Sequence, residues 1–237
     1  MSGFRDIHAH FVYGVDDGAQ TREDMEAMLD AAHRDGITTF FATPHMTPGV
    51  KPFPRERFDR HFEYACQYVR DRGYDMRLCA GAELLYTPAI ARYAEEHTLQ
   101  TMGDTENILI EYVPSTPFKE LKASLELLER CGYLPILAHI ERYQCMYHGN
   151  AYRVKDDFDV RFQVNCSTVL GKQGFFKDRE IRNWFGDELI DYLGTDTHNC
   201  TSRPIKMRAA YDALCENYGE KYANRLAGVK KRREGDS

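Results

Sequence analysis

The sequence lacks the features that would place it in a membrane or in an oxidising compartment. Its opening residues, MSGFRDIHAHF, contain no apolar core preceded by basic residues, and no uncharged apolar run is long enough to span a bilayer. None of the seven cysteines belongs to a CxxC pair, and scattered thiols in odd number are typical of a reducing compartment. We therefore expect a cytoplasmic protein without membrane insertion.

A strong charge of one sign is also missing. The 237 residues carry a formal net charge of −6, and acidic and basic residues are dispersed along the chain. Because such a chain has no overall basic field, nucleic acid and anionic membrane surfaces are not expected partners. An anionic substrate would have to be held by local groups.

Short apolar segments alternate with amphipathic helical patterns along most of the chain. The strand-like segments lie near residues 4–8, 37–43, 76–83, 107–112, 134–139, 160–165 and 191–196. Helical patterns with start or stop signals run over residues 21–36, 55–73, 87–97, 116–132 and 204–219. About seven strand–helix units predict a closed or nearly closed parallel α/β barrel, with an open doubly wound sheet as the alternative. We expect one domain over residues 1–228 and a charged, disordered tail over residues 229–237.

Nearly every predicted strand ends in a side chain that can bind a metal ion. His8 and His10 lie two residues apart, so both imidazoles lie on the same side of an extended chain. The other side chains of this kind are His45, Glu83, Glu111, His139, Asp196 and His198. Any one of them could be an ordinary core or solvated residue. The whole set predicts a metal centre, because the carboxyl ends of parallel barrel strands meet on one face and unpaired charges there are costly.

The types of these ligands indicate which metals the centre would bind. Imidazoles and carboxylates without thiolates suit Mn²⁺, Fe²⁺ or Zn²⁺. Eight or nine ligands are too many for a single ion, so about two or three ions are expected, which would activate water and clamp a phosphoryl group. Asp16 and Asp17, in GVDDG, could add a carboxylate, although acidic residues beside glycine also form ordinary turns.

Two arginines lie in the loops that carry predicted ligands. Arg142 follows His139 by three residues, and Arg203 lies in the loop after His198. A guanidinium group can bind two phosphate oxygens at once. Either arginine alone could equally be a surface residue that bridges loops, but their positions favour phosphate binding.

Six segments of the chain, in order, resemble the motifs of a known family. They are DIHAHFVYGVDDG, ATPH, GAELLY, LAHIERY, QVNCS and GTDTHN. Together they resemble the polymerase-and-histidinol-phosphatase (PHP) superfamily, and more closely its branch of bacterial manganese-dependent protein-tyrosine phosphatases from capsule and exopolysaccharide loci. The resemblance spans roughly residues 4–220. It implies a distorted (β/α)7 TIM-like barrel with a trinuclear metal site and Mn²⁺ as the expected metal.

The resemblance also implies roles for individual residues. The family's metal ligands fall on His8, His10, Asp16, His45, Glu83, Glu111, His139, Asp196 and His198. Arg142 and Arg203 would bind phosphate and, with Asp196 and His198, form the expected catalytic set. Glu111 fits the tyrosine-phosphatase branch, because histidinol phosphatases are expected to carry histidine there. GTDTHN replaces the commoner SDxHN and keeps the ligands, whereas the missing NPxxI-like ending puts terminal packing and terminus-mediated assembly in doubt.

The sequence therefore predicts a metal-dependent phosphomonoesterase that hydrolyses protein phosphotyrosine, with hydroxide held by metal as the nucleophile. Its expected substrate and partner is a bacterial tyrosine autokinase of exopolysaccharide or capsule synthesis. The alternatives are a histidinol-phosphatase-like enzyme, a nuclease of the same superfamily, and a catalytically idle, metal-binding regulatory subunit. The acidic balance of the chain argues against the nuclease.

A cysteine-based phosphatase is the rival mechanism. Cys66 and Arg72 satisfy C-x5-R, but that motif works only as a glycine-rich loop whose amides hold phosphate. Here it lies in an apolar helical stripe, so Cys66 is predicted to be a core residue. The 46–54 segment, with Phe11 and Tyr13, could form an aromatic wall for a phosphotyrosine ring.

Overall fold

The strands of the structure are all parallel and occupy seven positions around a barrel. The computed structural model describes residues 3–171 and 174–229. Its strands are β1 (Phe4–Asp6), β2 (Ile37–Ala42), β3 (His45–Met46), β4 (Arg77–Ala80), β5 (Glu83–Leu85), β6 (Asn107–Glu111), β7 (Leu134–Leu137), β8 (Arg161–Asn165) and β9 (Tyr192–Gly194). Hydrogen bonds join them into two sheets, ordered β1-β2-β4 and β3-β5-β6-β7-β8-β9.

Two of the seven positions consist of an interrupted strand. The expected continuous strand over residues 76–83 is wrong: it is divided into β4 and β5, so Glu83 begins a strand instead of ending one. The adjacent position is divided at the same level, between β2 and β3, where Pro44 has no N–H to donate. The amide of Gly81 still donates to the carbonyl of Ala42, and the amide of Glu83 to that of Pro44. The two breaks therefore lie side by side.

The barrel closes between the last and first strand positions. Ala9 and Thr197 form a parallel bridge just beyond β1 and β9, and the amide of Asp196 donates to the carbonyl of His8 over 2.8 Å. The buried carboxylate of Asp6 accepts hydrogen bonds from the amide and hydroxyl of Thr195. These contacts exclude the open doubly wound sheet and confirm the predicted barrel.

The helices pack around the strands. They are α1 (Arg22–Asp35), α2 (Arg55–Asp71), α3 (Ile90–Glu95), α4 (Phe118–Arg130), α5 (Asn150–Asp157), α6 (Cys166–Leu170), α7 (Phe175–Gly186), α8 (Met207–Tyr218) and α9 (Glu220–Leu226). α1 begins after a capping box formed by Thr21 and Asp24, and it ends at Gly36, whose φ of 90° is left-handed. The predicted helix boundaries are confirmed here to within a residue.

Alternation along the strands separates the barrel interior from the layer of helices. Ile108 and Ile110 of β6 belong to the main core under the helices, whereas Leu109 packs with Ile7 and Ile136 in a small second cluster. Leu109 and Glu111 are two residues apart, so they face the same side of the strand. The small apolar cluster therefore forms a floor beneath the site at the strand ends.

The part of the chain that the structure describes has no helix long and apolar enough to cross a membrane. Beyond Val229, the predicted charged tail lies outside the described residues and stays a prediction.

Candidate metal centre

Glu83 lies at the middle of a cluster of imidazoles, of which all but the half-buried His45 are buried. Its Oε2 atom is 3.2 Å from Nε2 of His8 and 3.3 Å from Nε2 of His10. The same oxygen is 2.9 Å from Nδ1 of His45, and Oε1 is 2.8 Å from Nε2 of His139. Burial alone would raise the pKa of Glu83, but His8 and the other imidazoles hold that pKa well below its ordinary value. Glu83 is therefore a carboxylate shared by four histidines.

The donor atoms form several overlapping groups, each compact enough to surround one ion. Within each group the candidate ligand atoms lie within 4.8 Å of one another. The groups are His10, Asp17, His45 and His198; His8, Glu83 and His139; His8, His10 and Asp196; and His45, Glu83 and Glu111. The eight side chains predicted at strand ends are all present. Because several groups share members, the arrangement fits a multinuclear centre.

Several buried polar atoms at this centre lie close to one another, but the described residues give them no hydrogen bond of suitable geometry. They include Nε2 of His8, His10 and His198, and Oε2 of Glu83. Buried polar atoms are normally paired, because leaving them unpaired costs free energy. All four atoms can coordinate a transition-metal ion, so the donor set fits bound divalent cations.

The two adjacent aspartates of GVDDG have different surroundings. Oδ2 of Asp16 accepts hydrogen bonds from Nδ1 of His10 at 2.7 Å and from the amide of His45 at 3.0 Å, and Oδ1 accepts from the amide of Gly18. Burial would raise the pKa of Asp16, but these hydrogen bonds lower it to about 2. Oδ1 of Asp17 lies 3.3 Å from Nε2 of His45. Asp17 thus belongs to one of the compact donor groups, whereas Asp16 orients the ring of His10, and the choice between them as a metal ligand stays a prediction.

Both predicted arginines lie at the edge of the centre, where they contact Asp196. Nη2 of Arg142 is 2.8 Å from Oδ2 of Asp196, and Nη2 of Arg203 is 2.7 Å from Oδ1. Their side chains are 41% and 38% exposed, whereas that of Asp196 is 3% exposed. The guanidinium groups therefore lie between the buried ligands and solvent. Phosphate binding by them stays a prediction.

Two of the candidate ligand residues have an unusual backbone. His139 has a φ of 32° and Asp196 a φ of 51°, in the left-handed region that favours glycine. Such conformations cost of the order of 1–3 kcal/mol each and are found mainly where function requires them. The backbone is thus bent where β7 and β9 deliver their ligands.

Two amides that the sequence analysis did not assign support the ligands. Oε1 of Gln163 is 3.1 Å from Nδ1 of His8 and accepts a hydrogen bond from the amide of His139. Nε2 of Gln163 donates to Oδ1 of Asn165, whose Nδ2 donates to Oδ2 of Asp196 over 2.8 Å. This chain of hydrogen bonds holds Nδ1 of His8 and leaves Nε2 free to face the centre. The signal was present in QVN, two polar side chains at the end of a buried strand.

Replacement of Gln163 by methionine is expected to weaken metal binding by about 10- to 100-fold, because side chains that orient ligands commonly contribute that much. Methionine keeps the length of the side chain and removes its hydrogen bonds to His8, His139 and Asn165. Titration with Mn²⁺ by calorimetry would measure the loss of affinity. Gln67→Met would serve as the control, because Gln67 is an exposed residue of α2. Wild-type affinity in Gln163→Met would show that His8 needs no such support.

The surroundings of Cys66 do not suit a catalytic thiol. Cys66 lies in α2 and is half-buried beside fully buried Ala65 and Val69, and burial raises the pKa of its thiol. A thiol with a raised pKa is a poor nucleophile.

The prediction that Phe11 contributes to an aromatic wall for the substrate is wrong, because Phe11 is fully buried and stacks on Phe40. Tyr13 instead stacks on His61.

Cys66→Ser is expected to change kcat/KM by no more than about twofold, because a half-buried helical thiol cannot form the phosphate loop that thiol catalysis requires. Steady-state kinetics of variant and wild type, with circular dichroism to check folding, would measure this. A folded variant without turnover would restore the cysteine mechanism.

A closed parallel barrel with a buried histidine–carboxylate centre at the carboxyl ends of its strands defines the class of protein: a metalloenzyme of TIM-like fold. A sequence model of the family described as capsular polysaccharide synthesis, CpsB/CapC, matches residues 4–231. The chain belongs to this family, and the branch predicted from the six motifs is confirmed.

Individual relatives cover nearly the whole chain. The tyrosine-protein phosphatase CpsB of Streptococcus pneumoniae is 30% identical over an alignment of 228 positions that covers 93% of each protein. The tyrosine-protein phosphatase YwqE of Bacillus subtilis is 26% identical and covers 90% of this chain and 85% of its own. A crystal structure from work on YwqE and CpsB, described as metal-dependent tyrosine phosphatases, superposes with a TM-score of 0.82 at 24% identity over 94% and 91% of the two chains. That superposition confirms the fold.

Proposed function

We propose that this protein is a metal-dependent phosphatase that removes phosphate from tyrosine in a protein substrate. The observation that carries the proposal is the convergence of buried imidazoles and carboxylates on Glu83, with two guanidinium groups at the solvent edge of the same centre. The relatives that cover the chain are tyrosine-protein phosphatases. A catalytically idle subunit would not need an intact ligand set with arginines beside it.

The centre is proposed to hold three divalent ions, with Mn²⁺ as the physiological metal. His8, His10, Glu83 and Asp196 would hold the first ion; Glu83, Glu111 and His139 the second; and Asp17, His45 and His198 the third. Distances between donor atoms support this assignment. Oxygens of Glu83 and Asp196 lie within 3.6 Å of Nε2 of His8 and His10. Oxygens of Glu83 and Glu111 lie within 3.4 Å of Nε2 of His139, and Oδ1 of Asp17 lies within 3.5 Å of His45 and His198. When bound, the ions would supply activated water and neutralise phosphoryl charge.

The remaining side chains would position the substrate. Arg142 and Arg203 are half-exposed and can turn their free N–H groups towards phosphoryl oxygens. Asp196 anchors both guanidinium groups and limits their movement before substrate arrives. A tyrosyl oxygen, with a pKa of about 10, leaves with little protonation, so no strong general acid is required of the protein.

Histidinol phosphate is the competing substrate, and the surroundings of the centre disfavour it. Lys51 and Arg57 line the cavity that opens beside Asp17 and His45. Histidinol phosphate carries a cationic amino group, which these two cations would repel. A phosphotyrosine side chain is uncharged beyond its phosphate.

The physiological substrate is proposed to be a tyrosine autokinase of capsule or exopolysaccharide synthesis, encountered in the cytoplasm. Membership of the CpsB/CapC family supports the pathway. All seven cysteines are free thiols in the structure, as suits a reducing compartment.

One panel assay tests the activity. The protein, supplied with Mn²⁺, is given a phosphotyrosine peptide, the matching phosphoserine peptide and histidinol phosphate. We expect kcat/KM to be highest for the phosphotyrosine peptide and chelation to abolish turnover. A clear preference for histidinol phosphate would overturn the proposal.

A further inference from the structure

A large cavity extends from one side of the metal centre. Its volume is about 1010 Å³, at the upper end of the usual range of about 300–1,000 Å³ for small-molecule sites. One wall is the 14–20 segment that follows β1, and the other is the 46–54 segment that leads into α2. Asp17 and His45 form its inner end. The cavity is therefore continuous with the centre and larger than one phosphotyrosine side chain requires.

Two cations that line the cavity have no acidic partner among the described residues. Lys51 and Arg57 are exposed, and neither lies within salt-bridge distance of a carboxylate among the described residues. Nη1 of Arg57 donates to the carbonyl of Gly14, which fixes the guanidinium group on the wall and leaves its other N–H groups available. Two unpaired cations along a single cavity can attract anionic groups of a ligand.

The two carboxylates that also line the cavity are engaged with the metal centre. Asp16 accepts hydrogen bonds from His10, Gly18 and His45, and Asp17 is aimed at His45 and His198, where bound cations would neutralise it. A peptide bound in the cavity would thus lie beside two cations that these carboxylates do not pair with.

We infer that this cavity binds the peptide segment that flanks the phosphotyrosine and selects acidic side chains in it. The inference rests on the proposed function and names its substrate class: phosphotyrosine within an acidic sequence. Phe53 and Pro52, which also line the cavity, provide apolar surface for the backbone of the segment. Lys51 and Arg57 act on the peptide and do not touch the phosphoryl group.

Three phosphotyrosine peptides that differ only in the charge of their flanks test the inference. The flanks are acidic, neutral or basic, and kcat and KM are measured separately with Mn²⁺ supplied. Exposed ion pairs contribute modestly, so we expect the acidic peptide to exceed the neutral one by about five- to tenfold in kcat/KM, mainly through KM. The difference should shrink with added salt, because charges about 10 Å apart are screened at 0.1 M ionic strength.

Substitution of the two cations tests whether they cause the preference for the acidic peptide. Lys51→Glu should remove or invert the preference for the acidic peptide, and Arg57→Gln should reduce it. The ratio between peptides, measured on one preparation, is insensitive to any loss of folded protein. Lys221→Glu is the matched control, because Lys221 is an exposed residue of α9, which packs at the opposite end of the barrel through the hydrogen bond from Tyr222 to the carbonyl of Ile190.

The outcomes separate the two proposals. Equal kcat/KM on all three peptides, or an acidic preference that survives in Lys51→Glu, overturns the inference and leaves the phosphatase activity standing. A wild-type protein that hydrolyses none of the three overturns both.

Discussion

Glu83→Gln is expected to reduce kcat/KM on a phosphotyrosine peptide by about a thousandfold or more, because one isosteric change removes the charge around which the metal centre is built. The carboxylate contacts His8, His10, His45 and His139 within 3.3 Å. An amide places an N–H donor where a ligand oxygen stood and cannot bridge two cations. We therefore also expect metal-replete protein to lose bound Mn²⁺ in elemental analysis.

Glu106→Gln provides the matched control for this experiment. Glu106 is exposed and directly precedes β6, at the end of the barrel opposite to Glu111, so the same chemical change there should leave metal content and turnover at wild-type values. If Glu83→Gln retained its ions and its activity, the reaction would take place somewhere other than this centre.

The position of the ligands could be predicted from the sequence because it depends on short-range rules. A residue that follows a buried parallel strand reaches the carboxyl face of the barrel whatever the details of packing. His139 and Asp196 both lie two residues past the strands that deliver them, and both still reach Glu83 or the histidines around it. Errors of one or two residues in strand ends therefore did not move the site.

The interrupted strands could not be predicted in the same way. The segment from Met76 to Glu83 looks like one continuous strand in the sequence. In the structure, pairing with the adjacent strand does continue across the break, through the hydrogen bond from the amide of Gly81 to the carbonyl of Ala42. What ends β4 is the matching break beside Pro44 in the adjacent strand, a contact between residues almost forty positions apart. Hydrophobic periodicity describes each segment separately, so it cannot detect two strand breaks that lie side by side in the sheet.

The choice between Asp16 and Asp17 also depends on tertiary contacts. The two residues have the same chemistry, and the family motif favoured Asp16. In the structure the amide of His45, 29 residues away, donates to Asp16, whereas Asp17 faces the imidazoles of His45 and His198. Gln163 could not be predicted for another reason. Neutral amides are not typical metal ligands, so the chemistry of ligand side chains does not identify the residues that orient those ligands.

The two arginines have more than one possible effect on catalysis, and the structure separates them. Arg142 and Arg203 each contact one oxygen of Asp196, so either could act by tuning that carboxylate or by binding phosphate. Burial raises the pKa of Asp196, but His8 and the other cationic groups around it, Arg142 among them, lower it below its ordinary value. With one arginine removed, the second and the histidines would keep Asp196 ionised. Loss of metal is therefore not expected from a single substitution.

Arg142→Ala and Arg203→Ala are each expected to lower kcat/KM on a phosphotyrosine peptide by about a hundredfold or more while metal content stays at the wild-type level, because each removes a donor aimed at developing phosphoryl charge. Lysine at either position should restore only part of the rate, since it lacks the planar pair of donors. Arg161→Ala is the matched control: its side chain is 42% exposed and paired with Asp159, like Arg142 with Asp196, but it begins β8 at the far end of the barrel. Elemental analysis and steady-state kinetics on the same preparations decide the matter. Near wild-type kcat/KM in both alanine variants would mean that the arginines only brace Asp196 and that phosphate is held elsewhere.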